Sequence, residues 1–454
     1  MESESSFARI DPKGWAVKEG EESLIRVIDI RLGKDNEEYQ KLVNKTQMDM
    51  GNIYQRVDEI VSNVKKRGDS AIIEYTKLFD KVELDSKKLR VTKQEIESAY
   101  GSVDEKLLNV IRKAKNNIES FHAKQKEKSW FSTEKDGVLL GQLFRALEVV
   151  GVYVPGGSAP LPSSVLMNVV PAKVAGVERV IMTTPPGKDG SIHPAILVAA
   201  NEAGADEIYR VGGAQAIAAL AFGTQSIPKA DKIVGPGNIY VNMAKRIVFG
   251  YCGIDMFAGP SDITVLADET AKPAFVAADL LSQAEHDPLS AAILVTTSES
   301  LADKVQVEMS RQYQYLSRKD ILDKSLKDNC AIIIVNSLEE AVETANLIAP
   351  EHLEVCVQDP FSLLGSIRNA GAIFLGNYAT EPLGDYFAGP NHVLPTSGTA
   401  RFFSPLSVAD FMKKSSVISY TRKALEQVRE DIVLFAEAEG LDAHANAIKV
   451  RFEE

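Results

Sequence analysis

The 454-residue chain reads as an α/β protein. It has two Rossmann-like parallel-sheet domains without a GxGxxG fingerprint, plus helical N- and C-terminal segments. Three observations carry that reading. From Glu148 onward, short β-rich runs alternate with helical stretches, the pattern of parallel sheets covered by helices. The alternation comes in two series, 148–260 and 261–405, parted near Gly259-Pro260. The length exceeds one ordinary core, while 45% apolar and 25% charged residues match a soluble globular composition.

The elements follow in order. Between Asp104 and Lys128, the residues Leu107, Leu108, Ile111, Ala114, Ile118 and Phe121 recur at helical spacing among polar neighbours. That spacing predicts an amphipathic helix. Asp49 to Leu78 reads similarly, so the first third is expected to be largely helical. In the first series, strands are expected at "EVVGVYVP", "RVIMTT" (Arg179 to Thr184) and "EIYRV" (Glu207 to Val211). Helices are expected from Ser164 to Ala175, from His193 to Ala203 and over "AQAIAALAF", and a further cycle through "DKIVGPGNIYVNMAK". In the second series, strands are expected at Ile263 to Asp268, Ala291 to Thr297, Ala331 to Asn336, Leu353 to Val357 and Ala372 to Gly376. The tail from Ser407 is highly charged and reads as helix without a sheet.

Composition also excludes. A net charge of −12 argues against a nucleic-acid surface, which depends on Lys and Arg. No run approaches the ~18 apolar residues of a membrane helix. The polar start "MESESSFARI" is not a secretory signal. Three cysteines, Cys252, Cys330 and Cys356, are widely spaced without a CxxC pair, which fits a reducing cytoplasm. Cys356 falls within a strand, where a buried inert thiol is expected, so a thiol-nucleophile aldehyde dehydrogenase is disfavoured. GxGxxG, GxxxxGK[ST] and GxSxG are all absent.

In an open α/β sheet, ligands bind beyond the carboxyl ends of the strands. The turns "VPGG", "VGGAQ", "GPGN" and "AGPSD" follow or lie near such ends, and each offers backbone N–H groups near a helix start to a phosphate. Four of the six histidines stand in distinctive C-terminal contexts: His286, His352, His392 and His444. The other two, His122 in a lysine-rich helix and His193, read as surface residues. Gln283 and His286 in "LLSQAEHDP" form an i, i+3 pair that could share a helix face toward a metal, or could simply face water. Glu351-His352, after Ala349-Pro350, could activate a water and shuttle a proton, or cap a surface turn. The Gly/Pro-rich stretch Leu383 to Val408, holding Asp385, Tyr386, Asn391 and His392, reads as a functional loop. These residues alone stop at a soluble α/β enzyme with His/carboxylate/metal chemistry.

Nine segments in order resemble the histidinol dehydrogenase family, over roughly residues 45 to 450. They are "GVYVPGG", "PLPSSVLMNVVPAKVAGV", "GGAQAIAALAFGT", "KIVGPGNIYV", "AGPSD", "DLLSQAEHDP", "APEHLE", "GDYFAGPNHVLPTSGTARF" and "EGLDAHANA". The resemblance implies oxidation of L-histidinol to L-histidine in two NAD-linked steps through a bound aldehyde, ending histidine biosynthesis. It implies one zinc ion per site on Gln283, His286, Asp385 and His444, with Glu351 and His352 as the acid–base pair. Substrate contacts implied are Ser261, Gln283, His286, His352, Asp385, Glu439 and His444, with Ser163, Ser164 and His392 nearby. Tyr153, Gln215 and Asn238 match the NAD positions. Four divisions are therefore expected: an N-terminal segment 1–44, an α/β unit of 45–147 with 261–405 carrying most of the zinc and catalytic site, an NAD unit 148–260, and a tail 406–454. The family is a homodimer whose tail completes the partner's site.

Overall fold

The structure, a computed structural model, describes residues 24–43, 51–156, 160–257 and 259–453. Most of the 1–44 segment and the first residues of 45–147 lie outside them. The chain opens with β1 (Arg26–Asp29) and α1 (Glu37–Val43). Four helices follow: α2 (Gly51–Arg67), α3 (Asp69–Phe79), α4 (Lys93–Tyr100) and α5 (Glu105–Ala123). Gly68, at φ +58, separates α2 from α3, splitting the single helical run expected there. A Thr92–Glu95 capping box starts α4, and the Asp104 side chain caps α5.

β2 (Trp130–Ser132) and β3 (Val138–Ala146) come next, where the sequence suggested mainly helix. The first α/β series is β4 (Val149–Tyr153), α6 (Pro162–Ala175), β5 (Arg179–Thr184), α7 (Pro194–Ala203), β6 (Glu207–Arg210), α8 (Gly213–Phe222), β7 (Lys232–Val234), α9 (Ile239–Val248) and β8 (Gly253–Ile254). Its strands pair in parallel in the order β6-β5-β4-β7-β8. The second series is β9 (Asp262–Ala267), α10 (Pro273–Ala284), β10 (Ala291–Thr296), α11 (Glu299–Tyr313), α12 (Lys319–Asn329), β11 (Ala331–Ile334), α13 (Leu338–Ile348), β12 (His352–Cys356) and β13 (Ala372–Leu375). With β1 it forms a parallel sheet ordered β1-β11-β10-β9-β12-β13. The central strands of both sheets are buried at nearly every position, which is why they read as continuous apolar runs rather than alternating ones.

One further feature departs from the sequence reading. The tail is not purely helical: β14 (Met412–Tyr420) pairs antiparallel with β3 along its whole length, in a three-stranded sheet β14-β3-β2. Its "MKKSSVISY" is mostly exposed and charged at its start, so no apolar alternation announces a strand. The helices of 51–123 pack on the first α/β series, and α5 also meets the stretch 384–391, where Asn117 Nδ2 donates to the Phe387 carbonyl at 2.8 Å. Val57, Val61 and Val64 of α2 share a core with Ala216 to Leu220 of α8 and Val241 of α9. Ile111, Ala114 and Ile118 of α5 share one with Val165 and Val169 of α6. No described helix is long and apolar enough to cross a membrane.

Candidate active site

The catalytic candidates meet at the amino ends of β9 and β12. The left-handed Ala349 (φ +51) ends α13, and Pro350 then turns the chain into β12. Parallel pairing of His352 with Ile263 places Glu351 beside Asp262, 89 residues away. The Glu351 N–H donates to Asp262 Oδ1 at 2.9 Å, and the Asp262 N–H donates to Glu351 Oε2 at 3.2 Å. Glu351 is 5% exposed. Burial raises its carboxyl to about 8, against the opposing influence of His352 and a hydrogen bond from Ser261.

His352 is 3% exposed, and its Nδ1 lies 3.2 Å from the Asp262 carbonyl oxygen. A carbonyl only accepts, so Nδ1 carries the hydrogen and Nε2 of the neutral ring presents a lone pair. That Nε2 has no hydrogen-bond partner; Asp385 Oδ1 stands 3.7 Å away. Burial opposes protonation of the ring, but Glu351, Asp385 and Glu381 outweigh it and push its pKa up. The pair is thus buried and coupled, not a surface cap.

Around it gather Asp385 and His286, with Gln283 three residues before His286. The helix α10 ends at Ala284, and His286 lies in the turn beyond, its N–H donating to the Gln283 carbonyl at 3.2 Å. The turn preserves the three-residue spacing that a continued helix would have given. Gln283 is fully buried, and neither its amide oxygen nor its nitrogen has a partner. Leaving both unpaired costs about 1–3 kcal/mol each, so the site is built for something not supplied by the chain itself. Asp385 sits in a π-helical turn, Gly384–Ala388; such turns recur at functional sites. Burial works against its ionisation, yet His352, His392 and His286 hold its carboxyl below the usual range. His392 Nδ1 contacts the Asp385 carbonyl at 3.0 Å, and its Nε2 stands 3.5 Å from the Ser164 hydroxyl. Ser163, next along the same helix start, is half-buried.

One carboxamide, one imidazole and one carboxylate suit a divalent transition metal in chemistry. Among the described residues, no three His, Cys, Asp or Glu side chains converge to hold a metal. His444 and Glu439 are exposed and line a separate groove on the tail helices, with Ile432 and Phe435. The chain therefore does not bring its four implied ligands together.

The second candidate region lies at the carboxyl edge of the five-stranded sheet, beside the switch between β4 and β7. A cavity of about 900 Å³ is lined by Tyr153, Gln215 and Asn238. Tyr153 ends β4, and its hydroxyl accepts from the Gly213 N–H at 3.2 Å. Gln215, one turn into α8, is buried with an unpartnered Oε1. Asn238 caps α9, its Oδ1 accepting from the N–H groups of Tyr240 and Val241. The "GPGN" turn is clamped from below. Lys245 Nζ donates to the Gly235 carbonyl at 3.1 Å, and the Gly235 N–H donates to Asp255 Oδ2 at 2.8 Å. Lys245 and Asp255, 1% and 0% exposed, form an ion pair. Gly235 (φ +116) presses on the Tyr153 carbonyl, where a Cβ would collide. Of the four Gly/Pro turns, three follow carboxyl ends as expected; "AGPSD" instead leads into the amino end of β9.

The histidinol dehydrogenase family model matches residues 43–452. The chain belongs to the histidinol dehydrogenase family. It is 56% identical over 432 residues to the histidinol dehydrogenase of Clostridium acetobutylicum, covering 95% of this chain and 100% of that one. It is 57% identical over 414 residues to that of Bacillus subtilis, covering 91% and 96%. Its fold superposes on the crystal structure of histidinol dehydrogenase from Elizabethkingia anophelis with a TM-score of 0.89, at 41% identity, covering 95% and 99%. The chain is an oxidoreductase of this type, as the motifs implied.

Residues beyond the implied site set also shape this region. Glu381 is 2% exposed, with Oε1 3.8 Å from His286 Nε2 and Oε2 unpartnered. Burial raises it to about 7, against His352. Behind it, Glu354 accepts from the Glu381 N–H at 2.8 Å, and burial and Asp279 raise it to about 9. An acid within a buried strand is rare enough to be a signal, and Glu354 in "LEVCV" carried it. His122, expected at the surface, is fully buried, with Nδ1 2.8 Å from the Ile118 carbonyl and Nε2 3.4 Å from Asn391. The lysines around it solvate the other faces of α5. His193 is exposed, as expected, and caps α7. All three cysteines are buried; burial lifts the Cys252 thiol to about 11 and Cys356 further still.

Proposed function

We propose that the protein is a zinc-dependent histidinol dehydrogenase, oxidising L-histidinol to L-histidine in two NAD-linked steps through a bound aldehyde, at the end of histidine biosynthesis. The observation carrying this reading is the fully buried Gln283, both amide atoms unpartnered, three residues before His286, whose ring feels the charges of Asp385 and His352. Zinc would be held by Gln283, His286, Asp385 and the partner subunit's His444, and would supply a template for the substrate's imidazole and amino nitrogens. NAD, in the cavity of Tyr153, Gln215 and Asn238, would supply the hydride acceptor, one molecule for each of the two oxidations.

The chain's own groups move the protons. His352 Nε2, unpartnered and with Nδ1 fixed on the Asp262 carbonyl, takes the hydroxyl proton as the carbinol carbon loses its hydride. Glu351 then deprotonates a water that adds to the aldehyde carbon. The resulting hydrate gives up its second hydride and a proton and becomes the carboxylate. Holding the aldehyde through both steps shields it from side reactions. Ser261, which hydrogen-bonds Glu351, and Ser164 with His392 border the substrate. Glu439 suits a cationic substrate group.

The tail helices expose Leu434 and Phe435, 69% and 72% accessible, beside the groove of Glu439 and His444. Such an apolar patch next to ligand-type residues supports a homodimer in which each tail completes the partner's site. A cytoplasmic location accords with three free, reduced cysteines.

The test counts NADH from L-histidinol before and after chelation and zinc return. Two NADH per histidinol, lost on chelation and regained with zinc, is the expected result. No NADH from histidinol, with turnover of another amino alcohol, overturns the substrate.

A further inference from the structure

The cofactor cavity contains a carboxylate that neither the fold's needs nor the proposed mechanism uses. Asp80 follows the last residue of α3 and caps that helix through its backbone, its N–H donating to the Thr76 carbonyl at 2.9 Å. Its side chain lines the cavity with Tyr153. The Oδ2 atom is buried and has no hydrogen-bond partner. No cation on the described residues pairs with it. Arg56, which lines the same cavity, lies over the Tyr240 ring at 5.8 Å, and Lys188 is exposed. Burial alone raises the Asp80 carboxyl to about 6, and its charge is felt at the Tyr153 hydroxyl.

A half-buried carboxylate with one buried, unpaired oxygen is costly unless a ligand brings a donor to it. The neighbouring surface says which donors. Phe79, adjacent to Asp80 in sequence, lines the same cavity and is 47% exposed, stacked at 5.7 Å and 3° on Tyr75, which also lines it. A flat, half-open aromatic wall fits a purine face. The start of α8, with Gly213 on the Tyr153 hydroxyl, and the start of α9 at Asn238 fit a pyrophosphate. A dinucleotide spanning these features puts its adenosine ribose next to Phe79, against Asp80.

We infer that Asp80 is the specificity-determining acceptor for the adenosine ribose hydroxyls, and that its carboxylate selects NAD over the 2′-phosphorylated dinucleotide. The inference rests on the cofactor reading of this cavity. A 2′-hydroxyl donates to the orphaned oxygen and satisfies it. A 2′-phosphate offers only negative charge at the same place, so the site loses its donor and gains a like-charge contact. The acid serves the ribose from outside the sheet, on α3, instead of from a second strand as in dinucleotide folds with the GxGxxG turn.

The experiment is equilibrium binding of NAD, NADP and the hypoxanthine analogue of NAD to the full-length protein, wild type, Asp80→Asn and Asn238→Ala, without substrate. Wild type should bind NAD well above NADP. Asp80→Asn should weaken NAD and strengthen NADP, so their affinity ratio falls by about tenfold or more. The ratio is read on one protein sample, so partial unfolding cancels. The hypoxanthine analogue, which carries a 6-oxo group and an N1–H in place of the purine amine and its acceptor neighbour and keeps both ribose hydroxyls, should follow NAD in both proteins. If the ratio stays unchanged in Asp80→Asn while Asn238→Ala weakens all three ligands, the cavity is the cofactor site and the role of Asp80 is overturned. If neither variant changes any affinity, the cavity reading falls and the inference with it. If Asp80→Asn erases only the difference between NAD and its hypoxanthine analogue, Asp80 reads the purine amine and the ribose assignment is overturned.

Discussion

The two sheets use opposite ends. The proposed cofactor cavity lies past the carboxyl ends of β4, β6 and β7, where helix N-termini and glycine turns present backbone N–H groups. The proposed catalytic cluster lies at the amino ends of β9 and β12, where Asp262, Glu351 and His352 are paired side by side by parallel register. The first region recognises with backbone and a few polar tips. The second is a buried set of titratable side chains, several unpartnered. The general rule for open α/β sheets locates the first and misses the second. The lesson is that a rule about where backbone dipoles converge finds anion sites; a proton-transfer site needs only burial and register.

Replacing Glu351 by Gln separates the regions most sharply. It should cut histidine formation by about 10²–10⁴-fold and lower the yield toward one NADH per histidinol, while NAD affinity stays at the wild-type value. A parallel loss of NAD affinity would show the two regions to be one unit. Lys245→Met strikes the other region. It leaves Asp255 as an uncompensated buried charge, and the stability loss should be about 3–5 kcal/mol, read by denaturant titration, with NAD affinity falling and metal content per folded protein unchanged.

The pH dependence belongs to the catalytic edge. Glu351 must be ionised to act as a base, and its carboxyl is raised to about 8. Hydration of the aldehyde should therefore climb about tenfold per pH unit below that value and level off above it. The stability effect has the opposite sign. The folded pKa exceeds the ordinary 4.5, so the unfolded chain gives up its proton first and this group weakens the fold as pH rises from about 4.5 to about 8. A flat profile for the second oxidation from pH 6 to 9 would remove Glu351 from the role of base.

The smallest expected effect is the most diagnostic. Gln283→Met fills the same space without two unpartnered polar atoms. The metal-free protein should gain about 1 kcal/mol in stability, seen as a rise in Tm, while zinc retained after dialysis drops. A metal-free variant less stable than wild type would mean that Gln283 serves the core rather than a ligand.

Much of the fold was legible because buried parallel strands announce themselves as short apolar runs between helices. The strands β9 to β13 fell within a residue or two of expectation. β14 was not legible, since its partner β3 lies some 270 residues earlier and its side chains face water. The site divides in the same way. Gln283, His286, Glu351, His352 and Asp385 stood in family motifs; the structure sets His286, Glu351, His352 and Asp385 near one another, apart from the tail residues Glu439 and His444. Asp262, Glu381 and Asp80 gave no spacing signal, because each acts through residues tens or more positions away. His122 misled because the charge around it describes the exposed faces of α5 rather than its buried one.

The three buried thiols have a consequence for life under oxidative stress. Aldehyde oxidation through a cysteine needs an exposed thiolate, and peroxide attacks that same species first. Here Cys252 and Cys356 are held as neutral thiols at neutral pH, and Cys330 is wholly enclosed. The proposed route through a carboxylate and water would give peroxide and alkylating agents no catalytic thiolate to strike. On that route the second oxidation should persist in a cell where thiol-dependent enzymes have already been silenced.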